Sequence, residues 1–417
     1  MQKEMKRFNM QRRPNKPKWY LKIVEFVAAP FYMLFCGGRV KVDKEVRKLK
    51  GPYLILSSHA SFMDFAQLVT GIMPRTTGFV MSVEEFRRGD WLMYGVGGMP
   101  KRKFTHDIVT AKHMLRYLKQ LKHTCTLYPE ARFSLAGVNE RLDGAVGKIC
   151  KHAKVPVVLF KAYGNFVNSP QWSKHPYRGI KQVAYMTKLF SVEDLEQMTA
   201  DEVQAKVEKA FERDEYKWQA DNGYHTKCKK RADGLYRILY KCPVCGKEFK
   251  MKSGGVRLWC EECGAKWEMD TLSRLHGVNT DKGFSHIPDW YKWEREEVRK
   301  EVVAGSYRFE DDVSVEDYYN SKTGCIPVGE AHVVHDERGF TFEGVVNGKE
   351  FKLQKPVSSM YSVHIEYDFL KRGDAFDIAT EETSYFMFLK TAQNYLTKLH
   401  FAQEELYDYH VRGKFLG

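Results

Sequence analysis

The sequence predicts an α/β core built on a mostly parallel sheet, followed by a small zinc ribbon and a C-terminal, mainly β domain with a terminal helix. Three observations carry that prediction. As far as residue 225, short apolar runs alternate with stretches of helical apolar spacing, the pattern of strands joined by helical crossovers. Two Cys-x2-Cys pairs then stand close together, at Cys242/Cys245 and Cys260/Cys263. From Cys325 onward the apolar period shortens to two, with turn signals between runs. At 417 residues the chain exceeds one ordinary core, so two or three domains are expected.

A net charge of +14 and a pI near 9.1 call for an anionic partner: nucleic acid, an acidic membrane face, an acidic carrier protein or a phosphate-bearing substrate. Charge alone does not choose among them. Residues 1–18 narrow the choice, because they carry seven basic residues (Lys3, Lys6, Arg7, Arg12, Arg13, Lys16, Lys18) against one acid, Glu4, and run straight into apolar sequence. That sequence, Trp19 to Gly38, is rich in aromatics but broken by Lys22, Glu25 and Pro30, so it falls short of the roughly 20 apolar residues a spanning helix needs. Two short helices meeting at Pro30 and lying in the interface are expected, with basic residues meeting anionic lipid. A helix buried against the first domain is the alternative. No Ala-x-Ala-like site follows, so a cleaved secretory signal is not expected.

Residues 52–57 read as a buried strand and residues 61–70 as a helix, which puts His59 on the turn between them. A neutral imidazole there can take a proton from a hydroxyl if an acceptor holds its other nitrogen, and Asp64 is near enough in sequence to do so. A helix-capping histidine beside a solvated aspartate is the plainer reading of the same pair. Further strands are expected at Gly78–Met81, Thr124–Leu127 and Val155–Lys161, and helices over 106–122 and 144–153. Strand ends gather on one edge of a parallel sheet, so His59, Arg102, Glu130 and Arg132 should converge there. A serine nucleophile is poorly supported, since no Gly-x-Ser-x-Gly elbow occurs; Ser58 and Ser61 read as helix caps.

Four ordered blocks lie in this region: His59 to Asp64, Gly98-Met99-Pro100-Lys101-Arg102, Tyr128-Pro129-Glu130-Ala131-Arg132-Phe133-Ser134, and Val155-Pro156-Val157-Val158. Their order and spacing over residues 46–165 resemble the glycerophospholipid acyltransferase family, whose best-known members acylate lysophosphatidic acid. The third block departs from the family's Phe-Pro-Glu-Gly-Thr-Arg-Ser, with Ala131 in place of Gly, Arg132 in place of Thr and Phe133 in place of Arg. The resemblance implies His59 as general base and Asp64 as its orienter, with acyl-CoA or acyl carrier protein as donor. It further implies that Glu130 contacts the acceptor's glycerol hydroxyls or braces the phosphate-binding arginine; a loop-capping salt bridge with Arg132 is the plainer reading. For the acceptor phosphate, Arg102 and Arg132 are the candidate bidentate ligands, with Lys101 adding charge.

Beyond a charged helical stretch at 191–223, the two Cys-x2-Cys turns, separated by 14 residues, can supply four thiolates to one structural, tetrahedral Zn²⁺. Two disulfides are the alternative. The other five cysteines (Cys36, Cys125, Cys150, Cys228, Cys325) are odd in number and scattered, as in a reducing compartment. Zinc ribbons often bind nucleic acid, but the pairing with an acyltransferase-like core and an amphipathic N-terminus argues against that here. Six strands and a closing helix, Ala392 to His410, resemble a pleckstrin-homology or GRAM-like domain.

The expected organisation is therefore a basic tail with interfacial helices (1–45), an acyltransferase domain (46–225), a zinc ribbon (236–272), a helical linker (273–322) and a β domain (323–417). The expected function is that of a peripheral enzyme on the cytoplasmic face of a membrane, acylating a lysophospholipid such as lysophosphatidic acid. A degenerate, zinc-ribbon adaptor on membrane or nucleic acid is the rival; retention of His59, Asp64 and Glu130 speaks against it.

Overall fold

The structure, a computed structural model, describes residues 6–105, 107–413 and 415. Lys3 and Glu4 of the basic tail, and His106 at the start of the predicted 106–122 helix, lie outside the described residues. The first sheet contains β1 (Gly38–Val42), β2 (Leu54–Ser57), β3 (Thr77–Ser82), β4 (Gly98–Lys101), β5 (Thr124–Leu127), β6 (Val157–Tyr163) and β7 (Gln182–Phe190), in the order β1-β7-β6-β2-β5-β3-β4. All of its pairings are parallel except β6 with β7.

Central β2 is apolar on both faces because both are covered. Leu54 and Leu56 join Tyr117, Leu118, Val146, Val203 and Phe211 on one side, while Ile55 joins Met63, Leu68, Val69, Ala29 and Met33 on the other. The chain leaves β2, β4 and β5 at the same edge of the sheet, which is where the first three motif blocks end or begin; the fourth, Val155–Val158, opens β6 beside Leu54 and so lies at the opposite end of the strands.

The N-terminal segment departs from expectation in two ways. Trp19–Phe35 forms one helix that runs through Pro30, not two helices meeting there. Its docking on the core, through Leu21, Ala29 and Met33, fixes the axis, and packing outweighs the single backbone bond that proline removes. The described part of the basic tail is a strap between domains: Phe8 N–H donates to Tyr319 O (2.8 Å), Arg7 pairs with Asp317 (2.7 Å), and Lys18 N–H donates to Gly95 O (2.8 Å).

The cysteine ribbon is a four-stranded antiparallel sheet of β8 (Met251–Gly254), β9 (Arg257–Cys260), β10 (Lys266–Met269) and β11 (Leu275–Gly277). The C-terminal sheet is antiparallel throughout, with β12 (Phe309–Asn320), β13 (Gly324–Asp336), β14 (Gly339–Val346), β15 (Lys349–Pro356), β16 (His364–Glu366), β17 (Ala375–Ala379) and β18 (Ser384–Leu389) in the order β15-β14-β13-β12-β18-β17-β16. The strand β12 corrects the expected helical linker over 273–322. It pairs with both β13 and β18, so it is the central strand of the C-terminal sheet. The closing helix is shorter than expected, Leu396–Tyr407, ending in a π-type turn over Asp408–Arg412. One apolar core links the ribbon (Met251, Leu258, Trp267), the helix Ile287–Val303 (Trp290, Val298) and the C-terminal sheet and helix (Val313, Phe342, Leu399).

Candidate active site and cysteine cluster

His59 sits two residues past the end of β2, and the backbone on both sides of it is pinned. Its N–H donates to Glu130 Oε2 (3.1 Å), and its carbonyl accepts from Ser134 N–H (2.9 Å). The imidazole lies between the rings of Tyr128 and Phe133, with centroids at 4.2 and 4.0 Å. Its Nδ1 is buried, makes no hydrogen bond, and faces Asp64 Oδ2 at 3.5 Å. The side chain still keeps 24% exposure, so the open edge is the far one, which carries Nε2.

Asp64 has no solvent exposure, and its position follows from the turn. As the helix Met63–Ile72 begins, Asp64 Oδ2 accepts from Ala60 N–H (2.6 Å) and Ser61 N–H (3.0 Å), folding the loop back on its own first turn. Asn165 Nδ2 donates to Oδ1 at 2.5 Å. The carboxylate is thus a fixed acceptor beside Nδ1, and a closure of about 0.5 Å makes the hydrogen bond; such bonds are commonly long without substrate. Neither serine holds the expected N-cap position, which is Phe62: Ser61 Oγ accepts from Met63 N–H (3.2 Å) in a local turn just before it, and Ser58 Oγ accepts from Ala162 N–H (3.1 Å) and so ties the loop to β6.

Glu130 is fully used by protein. Besides His59 N–H it accepts from Glu140 N–H (2.8 Å) and from both terminal nitrogens of Arg213 (2.8 and 2.9 Å), with neither side chain exposed. This corrects the expected contact with the acceptor, with a phosphate-binding arginine or with Arg132: the arginine it holds is the buried Arg213, 83 residues away, and no local pattern in the sequence could have found it. Burial pushes the adjoining Glu215 carboxyl up to about 8, against the pull of Arg213 and with help from Asp64.

Arg132 is a correction. Its guanidinium is buried, not at the open edge: it bonds Glu140 Oε2 (2.7 Å), Glu404 Oε1 (2.7 Å), Ser362 Oγ (2.7 Å) and Val363 O (3.1 Å). No donor is left for a substrate phosphate, because Arg132 fastens the motif loop to the C-terminal domain. The preceding Ala131 takes φ 56°, a backbone region glycine enters freely and alanine at a cost of about 1–2 kcal/mol. Arg102 is likewise held, by Glu381 O (2.9 Å) and Glu382 O (2.6 Å), and is 7% exposed. Lys101 is looser, 3.5 Å from Asp143 with a fifth of its side chain exposed. Two clefts of about 340 and 300 Å³ lie elsewhere, and His59 lines neither.

The exposed surface beside this site is apolar. In the N-terminal helix Glu25 turns inward, and Trp19, Ile23, Val24, Val27, Phe31, Leu34 and Phe35 are each more than half exposed. The face continues toward the His59 loop: Tyr32 packs edge-on against exposed Phe62 (5.5 Å) and hydrogen-bonds Tyr177 (2.8 Å). No helix among the described residues is long and apolar enough to cross a membrane.

Cys242, Cys245, Cys260 and Cys263 form one cluster that can hold a metal ion, their sulfurs all within 4.8 Å of one another. The Cys242–Cys263 and Cys245–Cys260 sulfur distances are 3.7 and 3.8 Å. Thiolates about 2.3 Å from a central ion at tetrahedral corners stand about 3.8 Å apart, so the donor set fits. The two turns repeat one geometry. Gly246 N–H donates to Cys242 O (2.9 Å) and Gly264 N–H to Cys260 O (3.0 Å), with φ of 73° and 72° that require glycine.

Comparison with protein-family models finds no match, and no curated protein matches the chain. Among solved structures, the chain is similar to the 1-acyl-sn-glycerophosphate (LPA) acyltransferase PlsC from Thermotoga maritima, at 16% identity and a TM-score of 0.37, over 46% of this chain and 77% of that one. Similarity at that level assigns no family and no activity.

Proposed function

We propose that this protein is a peripheral membrane O-acyltransferase, moving a fatty acyl group from acyl-CoA or acyl carrier protein to a hydroxyl of a lysophospholipid such as lysophosphatidic acid. The observation that carries the reading is the His59 arrangement: Nδ1 turned to a buried, doubly anchored carboxylate, and the far ring edge open beside a surface rich in exposed apolar side chains. With its Nδ1–H toward Asp64, the imidazole has its Nε2 lone pair free to take the acceptor hydroxyl's proton as the oxygen attacks the thioester carbonyl. The C–S bond then breaks, and the imidazolium returns the proton to the leaving thiolate.

Because Arg102 and Arg132 are spent on the C-terminal domain, the acceptor's phosphate falls to Lys101, the motif cation with the weakest internal hold. The four thiols suit a structural Zn²⁺, which would supply folding energy and no open coordination position. The antiparallel order of the C-terminal sheet and its closing helix support a pleckstrin-homology-like reading of that domain. Scattered free cysteines support the cytoplasmic face. Incubating the protein with labelled palmitoyl-CoA, or the acyl carrier protein thioester, and a panel of lysophosphatidic acid, glycerol 3-phosphate and other lysophospholipids should yield one labelled acylated product. No transfer to any acceptor would leave the adaptor reading standing.

Membrane contact through the N-terminal helix has its own test. Ala29 and Met33 on its inner stripe belong to the folded core, so point changes on the outer face are cleaner than truncation. Val27→Asp with Phe31→Asp should lower binding to phosphatidylglycerol-containing vesicles by at least tenfold, since burial of each such side chain is worth about 1.5–3 kcal/mol. Sedimentation of the double variant to the same extent as the parent would move the contact elsewhere.

A further inference from the structure

Four arginines are buried among the described residues, and three of them are paired: Arg102 with two carbonyls, Arg132 with Glu140 and Glu404, Arg213 with Glu130. The fourth, Arg178, is the most deeply buried at 1% exposure, yet Nε, Nη1 and Nη2 all lack a hydrogen-bond partner. Its backbone is well tied, with N–H donating to Asn168 O (3.1 Å) and the carbonyl accepting from Thr226 Oγ1 (2.8 Å). The orphaned groups belong to the side chain alone.

A guanidinium cannot shed its proton in a protein, and an ion enclosed without a counter-charge costs several kcal/mol. Among the described residues no carboxylate hydrogen-bonds the guanidinium. Asp233, the carboxylate that acts most strongly on Arg178, is engaged by His175 Nε2 (2.9 Å) and Gly255 N–H. Arg231, also close by, adds a second positive charge while its own hydrogens go to Met269 O (2.8 Å) and Cys228 O (3.2 Å). The neighbours of Arg178 compound the shortage. Its Cζ lies 5.0 Å over the Trp172 ring, and Trp172 Nε1 is itself a buried donor with no acceptor. The hydroxyl of Tyr216, which also acts on Arg178, is buried and unpartnered. Donors are in surplus here, and the missing component is an acceptor carrying negative charge.

We propose that Arg178, with Trp172 and Tyr216, forms a buried binding site for a small inorganic anion, and that chloride suits it. A monatomic anion accepts hydrogen bonds from any direction and brings no donor of its own into a site that already holds too many. The site lies between parts of the molecule that must stay in register. Thr226 leads into the ribbon, Asn168 precedes β7, and Gln171 Nε2 reaches back to Ala60 O (3.5 Å) in the loop that carries His59. An anion at Arg178 would therefore lock the ribbon side of the core to the catalytic loop.

The full-length protein, exchanged into sodium gluconate and titrated with sodium chloride at constant ionic strength, should gain about 1–3 °C in Tm for each tenfold rise in chloride above its Kd. Arg178→Met should abolish that dependence. Should that variant fail to fold, the parent alone still decides, because bromide replaces chloride and its anomalous scattering in crystals grown from sodium bromide should mark a peak at Arg178. A Tm indifferent to chloride, together with no anomalous peak at Arg178, would overturn the proposal.

Discussion

His59→Ala should lower kcat/KM for acyl transfer by roughly 1,000-fold while leaving the fold and vesicle binding unchanged, within the range of about 10²–10⁴ expected for a general base. The backbone contacts that hold the loop do not use the imidazole: Glu130 takes the His59 amide, and Ser134 donates to its carbonyl. Only the ring between Tyr128 and Phe133 is lost. The effect should therefore appear in the chemical step, read by single-turnover transfer, with a Tm close to the parent's. Asp64→Asn should differ in kind. It keeps an acceptor for Ala60 and Ser61 but puts an amide where a carboxylate met Nδ1 and the amide of Asn165, so it should lose both activity and stability. His59→Ala turnover near the parent's would remove His59 from the chemistry, and with it the present assignment of the site.

How much of this was legible in the sequence depends on how far apart the partners lie. The His59 turn was readable because a fully apolar strand, a turn and an amphipathic helix are local patterns, and Asp64 lies within the same turn. The strand-end gathering of the first three blocks followed from βα alternation. The roles of the arginines were not readable, because Arg132 is defined by Ser362, His400 and Glu404, and Glu130 by Arg213. A motif arginine at a strand end looks the same whether its carboxylate comes from substrate or from another domain. The strand β12 was hidden for a related reason. Its run Glu310-Asp311-Asp312 reads as solvated, yet Asp311 is buried and accepts from the backbone N–H of Thr391 (3.1 Å) and Ala392 (2.9 Å). Tertiary partners override a local pattern in both cases.

Removing metal from the cysteine cluster should be the most damaging change to the fold. Four thiols brought within 4.8 Å without a disulfide are held together at a cost unless an ion joins them, and structural zinc contributes about 10–16 kcal/mol in zinc-finger peptides. Loss should not stay local. Cys242 and Cys260 are fully buried and share one apolar core with Leu258, Trp267 and Trp290, through which the ribbon supports the C-terminal domain. Elemental analysis should find one zinc per chain. Release of that zinc by a mercurial reagent, followed with a chromogenic chelator, should be accompanied by a fall in Tm of roughly 10 °C or more. Cys260→Ser should reproduce the fall, and Cys263→Ser, at an exposed corner, should cost less, since it forfeits the metal bond but little packing. Disulfides predict a different outcome that thiol titration separates: the unreduced, denatured protein should show all nine cysteines reactive once metal is removed, against five if the cluster were two disulfides. A preparation free of zinc, with nine reactive thiols and the parent Tm, would refute the metal site.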